Sequence, residues 1–251
     1  MTKTASMMNR RQATTMLAAG SWGLFSGKAY SATDKPFLMP SSIWNREFNP
    51  NSALKSWSIN SNGNLGAPSL LRFEMRPGDQ FNNDSDILNN RERTEISGVR
   101  SPFEFDQNYQ FTTSFNLTGY TGGSTWLKLM QILEVRNGVY NPVFGLQVRD
   151  NGQWQVVSRN DTNPNADIEL HRSSSILTQG VTHSLSVTMR VGKAGPSALK
   201  VRLDGVQWID LDNAPMGFQT GLNPYFKLGI YRPASNDTCV IKHIIPKLTL
   251  V

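Results

Sequence analysis

The chain of 251 residues has one cysteine, Cys239, and three histidines, His171, His183 and His243. A single thiol excludes an intrachain disulfide and any zinc site built on cysteines. No two histidines stand at metal-ligand spacing, so no metal site is expected from them. No apolar run approaches the ~20 residues of a membrane-spanning helix, and neither a Gly-rich phosphate loop nor a Gly-x-Ser-x-Gly elbow occurs. Helical periodicity is scarce as well. The segment Ser173–Gln179 is the one place where a short helix is expected.

An excess of positive charge is missing too, once its location is considered. The formal net charge is +6, but residues 1–32 carry Lys3, Arg10, Arg11 and Lys28 and no acid. Residues 33–251 have 21 basic against 19 acidic side chains, a net of +2. The basic balance therefore belongs to the N-terminus and is no argument for nucleic-acid binding.

That N-terminus reads as an export signal of the twin-arginine type. Arg10-Arg11 precedes an apolar segment, Met16 to Phe25, and small residues follow at Ala29-Tyr30-Ser31-Ala32. Residues 1–32 are expected to be removed, leaving 33–251 as a single domain in the periplasm or outside the cell. With 38% hydrophobic residues, that domain has enough apolar material for a substantial core.

What fills the domain is a succession of short runs with a period of two, divided by Gly, Asn, Asp and Pro. Leu70–Arg76 ends at Pro77-Gly78-Asp79. Trp126–Val135 ends at Asn137-Gly138, and Leu199–Leu203 at Asp204-Gly205. Val143–Val148 and Trp154–Val157 flank Asp150–Gly152, a hairpin turn. Many short strands without a repeat or linker predict an all-β sandwich or jelly roll. The Asn-rich patch Asn82–Asn90 reads as a solvated loop, with a flexible lid or a Ca²⁺-binding loop as alternatives.

The run Tyr225–Arg232 is a strand with two unlike faces. Phe226, Leu228 and Ile230 suit a core; Tyr225, Lys227, Gly229 and Tyr231 share the other side. Lys227 and Tyr231 lie roughly 13 Å apart along such a strand, a span suited to successive units of an extended polymer. Gly229 between them offers a notch where a ligand could approach the backbone. Arg93 and Glu95 also share a face and form either a surface ion pair or a carboxylate-holding pair. Gln131, in line with Leu129 and Leu133, either satisfies core groups or faces a cleft. Glu104-Phe105-Asp106 could begin the acid series of a sandwich glycosidase, but Asn108 stands where the next acid belongs.

Arg93-Thr94-Glu95, Gln131-Ile132-Leu133 and Tyr225-Phe226-Lys227-Leu228-Gly229-Ile230-Tyr231 resemble, in this order, the three signature strands of jelly-roll polysaccharide lyases. Phe73–Asp79 leading to Glu92–Glu95, and the ending Gly229-Ile230-Tyr231-Arg232, are most similar to the heparin lyase I and glucuronan branch; alginate lyases share the pattern. The resemblance implies a concanavalin A-like β-jelly roll that cleaves an acidic, uronic acid-containing polysaccharide by β-elimination. It implies that Arg93 and Gln131 neutralise the uronate carboxylate and that Tyr231 protonates the leaving oxygen. Lys227, Tyr225 and Arg232 would contact substrate, and Glu95 would orient Arg93. No cofactor is required on this reading, although Ca²⁺ could bind. The protein is expected to be a monomer with no nucleic-acid partner.

One position departs from the pattern. The family usually has a histidine two residues after the Gln, and this chain has Leu133. Three outcomes stay open: Tyr231 acts as both base and acid, its pKa lowered by Lys227 and Arg93; His171 or His183 reaches the cleft as the base; or the chain binds carbohydrate without cleaving it.

Overall fold

Between Tyr109 and Leu117 every second residue is buried, and between His183 and Met189 the same alternation recurs. Such strands bury one face and show the other to water. The computed structural model describes residues 45–47, 59–61, 69–79, 84–98 and 103–251; the expected export segment, residues 1–32, lies outside them. In chain order the strands are β1 (Asn45–Glu47), β2 (Ile59–Ser61), β3 (Leu70–Met75), β4 (Arg91–Ser97), β5 (Tyr109–Thr118), β6 (Trp126–Arg136) and β7 (Val139–Arg149). They continue with β8 (Gln153–Ser158), β9 (Ile168–Ile176), β10 (Thr182–Arg190), β11 (Ala198–Leu203), β12 (Val206–Leu211), β13 (Leu222–Pro233) and β14 (Cys239–Leu250). Among the described residues a short helix, α1 (Asp84–Leu88), precedes β4.

The strands form two seven-stranded sheets, in the orders β1-β4-β13-β6-β7-β8-β9 and β12-β11-β10-β5-β14-β3-β2. Each of these pairings is antiparallel. Aromatic contacts between the sheets mark where they face each other: Phe111 of β5 meets Phe226 of β13 at 5.0 Å, and Phe115 meets Trp154 of β8 at 5.5 Å. The expected jelly-roll sandwich is therefore present. The expected turns are too: Asn137-Gly138 and Asp204-Gly205 both take positive φ at each residue, as tight hairpins of type I′ require.

The two sheets differ in one respect that locates the site. β5 and β10 alternate, but the middle strands of the first sheet, β6 and β13, are buried along most of their length on both faces. Their inner face is apolar through Phe226, Leu228 and Ile230 of β13 and Leu127, Met130 and Ile132 of β6. Their outer face carries Lys128, Gln131 and Lys227, polar side chains at most 4% exposed. Polar groups are rarely buried so densely without a function or a fully paired network.

Several expectations are corrected here. Ser173–Gln179 is no helix: β9 runs to Ile176, and Leu177 enters the core. The Asn-rich patch contains α1, and its Asp86 is fully buried, so this part of the patch is no solvated loop. Leu129 does not share a face with Gln131, because a register shift between Lys128 and Met130 turns Leu129 into the core.

Cys239 is buried in β14, its thiol pKa pushed up to about 12 by burial. His243 of the same strand sits among Phe73, Phe111 and Phe115, and burial pushes its pKa down to about 3. Between the ordinary value of 6.5 and about 3 the unfolded chain binds a proton that the folded chain refuses. Stability should thus fall as pH drops below 6.5, by at most ~1.4 kcal/mol per pH unit from this group, and level off below about 3. Thermal unfolding of His243→Phe across that range should show a shallower acid limb than wild type.

Candidate active site

The site is built on β4, β13 and β6, which are neighbours in the first sheet. Register brings Arg93 opposite Tyr231, Glu95 opposite Gly229, and Lys227 opposite Gln131. The polar face expected for Tyr225–Tyr231 is real, but Gly229 is not a ligand notch. Its φ is +142°, and a Cβ there would meet the Thr94 carbonyl oxygen at 2.3 Å and Glu95 Cα at 2.7 Å. Glycine is needed for the close approach of β4 and for the irregular register before Tyr231.

Glu95, fully buried, holds this face together. Gln131 Nε2 donates to its Oε1 at 2.8 Å, and Lys227 Nζ lies 2.9 Å from its Oε2. Gln131 therefore faces outward, away from the core. Arg93 Nη1 is 3.6 Å from Glu95, whereas Nε and Nη2 reach the two carboxylate oxygens of Asp86 at 2.9 and 3.0 Å. The expected orienting role of Glu95 toward Arg93 thus falls mainly to Asp86 of α1. Lys227 is 1% exposed with its ammonium on Glu95. It shapes the network from beneath and, in this arrangement, presents no surface to a polymer.

Tyr231 lies under the guanidinium of Arg93, whose Cζ is 4.4 Å from the ring centroid. Trp126 also approaches the ring, at 5.3 Å between centroids. Burial raises the Tyr231 pKa above that of ordinary tyrosine, and Arg93 only partly opposes it. The cation-lowered phenol expected from the sequence is not found: desolvation of the phenolate outweighs the nearby cation. Tyr231 is a protonated acid at neutral pH.

Other expected residues lie elsewhere. Arg232 is fully buried on the opposite side of β13, with Nε 2.8 Å from Glu92, Nη1 bonded to Asp237 and Nη2 donating to the Asp237 carbonyl at 2.7 Å. It is an internal ion-pair hub, out of reach of substrate. Tyr225 faces the site but is 3% exposed, packed edge-on against the exposed Tyr140 at 5.9 Å. Leu133, its cross-strand partner, is 7% exposed and outside the core cluster, so it stands on the site face where an imidazole would project.

Neither candidate histidine is on that face. His171 pairs with the core residue Val156 and stacks on Trp208 at 4.9 Å. His183 belongs to the second sheet, where Nδ1 is 2.7 Å from Asp204 and Nε2 is 3.0 Å from the Thr178 carbonyl. Both rings point inward, His183 by the alternation of β10 and His171 through a register shift between β8 and β9. Sequence reasoning missed Asp86, hidden in a polar patch, and Lys128, although a lysine within the apolar run Leu127–Val135 was a visible signal.

The site is thus a set of buried ionic groups around a phenol on one outer face of a two-sheet antiparallel jelly roll. The model of the family described as Polysaccharide lyase matches residues 42–243, and the chain belongs to that family. It is a polysaccharide lyase. No curated protein sequence matches it. Among solved structures, an endo-β-1,4-glucuronan lyase from the fungus Trichoderma reesei is similar at a TM-score of 0.57 and 12% identity, over 86% of this chain and 90% of that one. The family 7 alginate lyase A1-II′ is similar at 0.59 and 15%, over 83% and 95%. The family 18 polysaccharide lyase aly-SJ02 is similar at 0.51 and 15%, over 83% and 94%. At these identities the likeness establishes the jelly-roll fold.

Proposed function

We propose that the protein cleaves a uronic acid-containing polysaccharide by β-elimination. The observation that carries this reading is the phenol of Tyr231 beneath the guanidinium of Arg93, next to the Glu95–Gln131–Lys227 network. A C5 proton beside a carboxylate is weakly acidic, so the carboxylate charge must be met and the developing enolate stabilised by fixed positive groups and donors. Arg93 and Gln131 supply them in a largely dehydrated setting, where such interactions are stronger than in water. Tyr231, held protonated, gives its proton to the departing O4. Structural neighbours named as lyases of glucuronan and of alginate support polyuronates as the substrate class.

Incubation with alginate, glucuronan and heparin should produce the near-ultraviolet absorbance of an unsaturated uronate with at least one of them. Leu133 favours a second reading, a carbohydrate-binding protein without turnover, which retained binding with no absorbance would establish. The reaction is proposed to run on side chains alone, so EDTA is expected to leave the rate unchanged; loss of activity reversed by Ca²⁺ would refute that. The arginine pair and apolar segment near the N-terminus support export to the periplasm or beyond, with the mature chain acting as a monomer.

A further inference from the structure

We propose that Lys128 is the catalytic base, the group that removes the C5 proton in place of the missing histidine. This rests on the lyase reading above. On β6 the irregular register at Leu129 makes Lys128 the next residue after Gln131 to face the site, and it is the cross-strand partner of Tyr231. Paired residues in adjacent strands have Cα atoms about 5 Å apart. The two residues are thus rooted side by side on the site face, although the Lys128 stem leans toward β7.

Three observations single this lysine out. Its stem crosses the space left by Gly145: a Cβ there would lie 3.6 Å from both Cδ and Cε of Lys128. Its ammonium ends 5.2 Å from the Trp126 ring centroid and 3.7 Å from Asp167, longer than a hydrogen bond. Asp167 is itself held more closely by Arg159, at 2.7 Å, and is 29% exposed, whereas the Lys128 side chain beside it is 5% exposed. The other lysine of the site, Lys227, is bound at 2.9 Å to the fully buried Glu95. The charged groups facing Lys128 are Asp167 and Arg159 and, farther off, Glu95; burial lowers its pKa, Arg159 adds to that, and the two carboxylates oppose it.

In the step, the neutral amine of Lys128 takes the C5 proton and becomes an ammonium. The C–H electron pair forms the enolate facing Arg93 and Gln131, then the C4–C5 double bond as the C4–O bond breaks. Tyr231 protonates the departing oxygen. Proton exchange with water returns the ammonium and the phenolate to their starting states, so no oxidant, reductant or metal is needed.

The test compares wild type, K128R and K128M on the polyuronate that wild type cleaves. Arginine keeps the charge and the Asp167 pairing but does not give up its proton at accessible pH. Both variants should therefore lose at least about a hundredfold in kcat with KM little changed. The wild-type kcat/KM should rise with pH along a limb that is absent from the residual activity of either variant. Thermal unfolding checks that K128R is folded, and K128R decides the matter should K128M not fold. Turnover retained by K128R, or an acid limb retained in either variant, would show that Lys128 acts only as a charge and would overturn the assignment while leaving the lyase reading intact. A wild type inert on every polymer would refute the lyase reading as well, a result distinct from an active wild type with unaffected variants.

Discussion

Tyr231→Phe is expected to lower turnover by about 10²–10⁴-fold and to leave polysaccharide binding nearly unchanged. The substitution removes one hydroxyl and keeps the ring that contacts Arg93 and Trp126. The stacked guanidinium and its anchorage to Asp86 do not depend on the phenolic oxygen. What is lost is the proton donor. Because burial holds the Tyr231 phenol above the usual tyrosine pKa, wild type keeps its proton through neutral pH, and activity should fall only on the alkaline side as the phenol ionises. Initial rates of unsaturated-uronate formation against pH, with substrate binding measured separately, test both parts. A Phe variant that turns over at the wild-type rate would remove Tyr231 from the chemistry.

Replacing Arg232 by Met should cost about 3–5 kcal/mol of stability, a large part of the ~5–15 kcal/mol typical of a domain. Arg232 is fully buried, with Glu92 on Nε and Asp237 on Nη1, and both of those acids are nearly as buried. Removing the guanidinium takes the counter-charge from two carboxylates, which then keep only neutral donors, Gly78 N–H for Glu92 and Thr121 and Ser235 for Asp237. The Glu92 pKa is already raised by burial, with Arg232 among the groups holding it down, so the variant should lose further stability as pH rises and Glu92 is forced to ionise. Denaturant unfolding with an unchanged m-value and a lowered midpoint is the expected signature. A substrate-binding residue would behave otherwise: its loss would weaken binding and leave the midpoint alone.

Arg232 and Tyr231 also show how far sequence reading reaches. They are adjacent, share one motif, and differ only in which face of β13 they occupy. Alternation placed Phe226, Leu228 and Ile230 inward and Tyr231 outward, and the structure agrees. The same alternation puts Arg232 inside, but a motif read as a block assigned it to substrate. His171 and His183 failed for a related reason. Each faces inward, His183 by alternation and His171 through a register shift, and the cross-strand partners that reveal this, Phe115 and Val156, lie on other strands.

Lys128 and Asp86 could be placed only by long-range geometry. A register shift at Leu129 moves Lys128 into line with Tyr231, and strict period-two counting cannot anticipate a bulge. Asp86 sits in a low-complexity segment whose composition reads as loop. Its burial follows from α1 folding back onto β4, seven residues away from the arginine it binds.

By itself, the sequence determined the sandwich, the turns that join its strands, the inward and outward faces of β13, and the family motifs on β4, β6 and β13. Those features are local: period-two patterning, turn chemistry and short-range spacing set them. Only the tertiary structure decided that Arg93 is held by Asp86, that Lys227 is locked to Glu95, and that the phenol of Tyr231 is kept protonated. The protonation of a buried group depends on which charges and how much water surround it, and here Arg93 and Tyr231 come from strands that place them 138 residues apart in the chain.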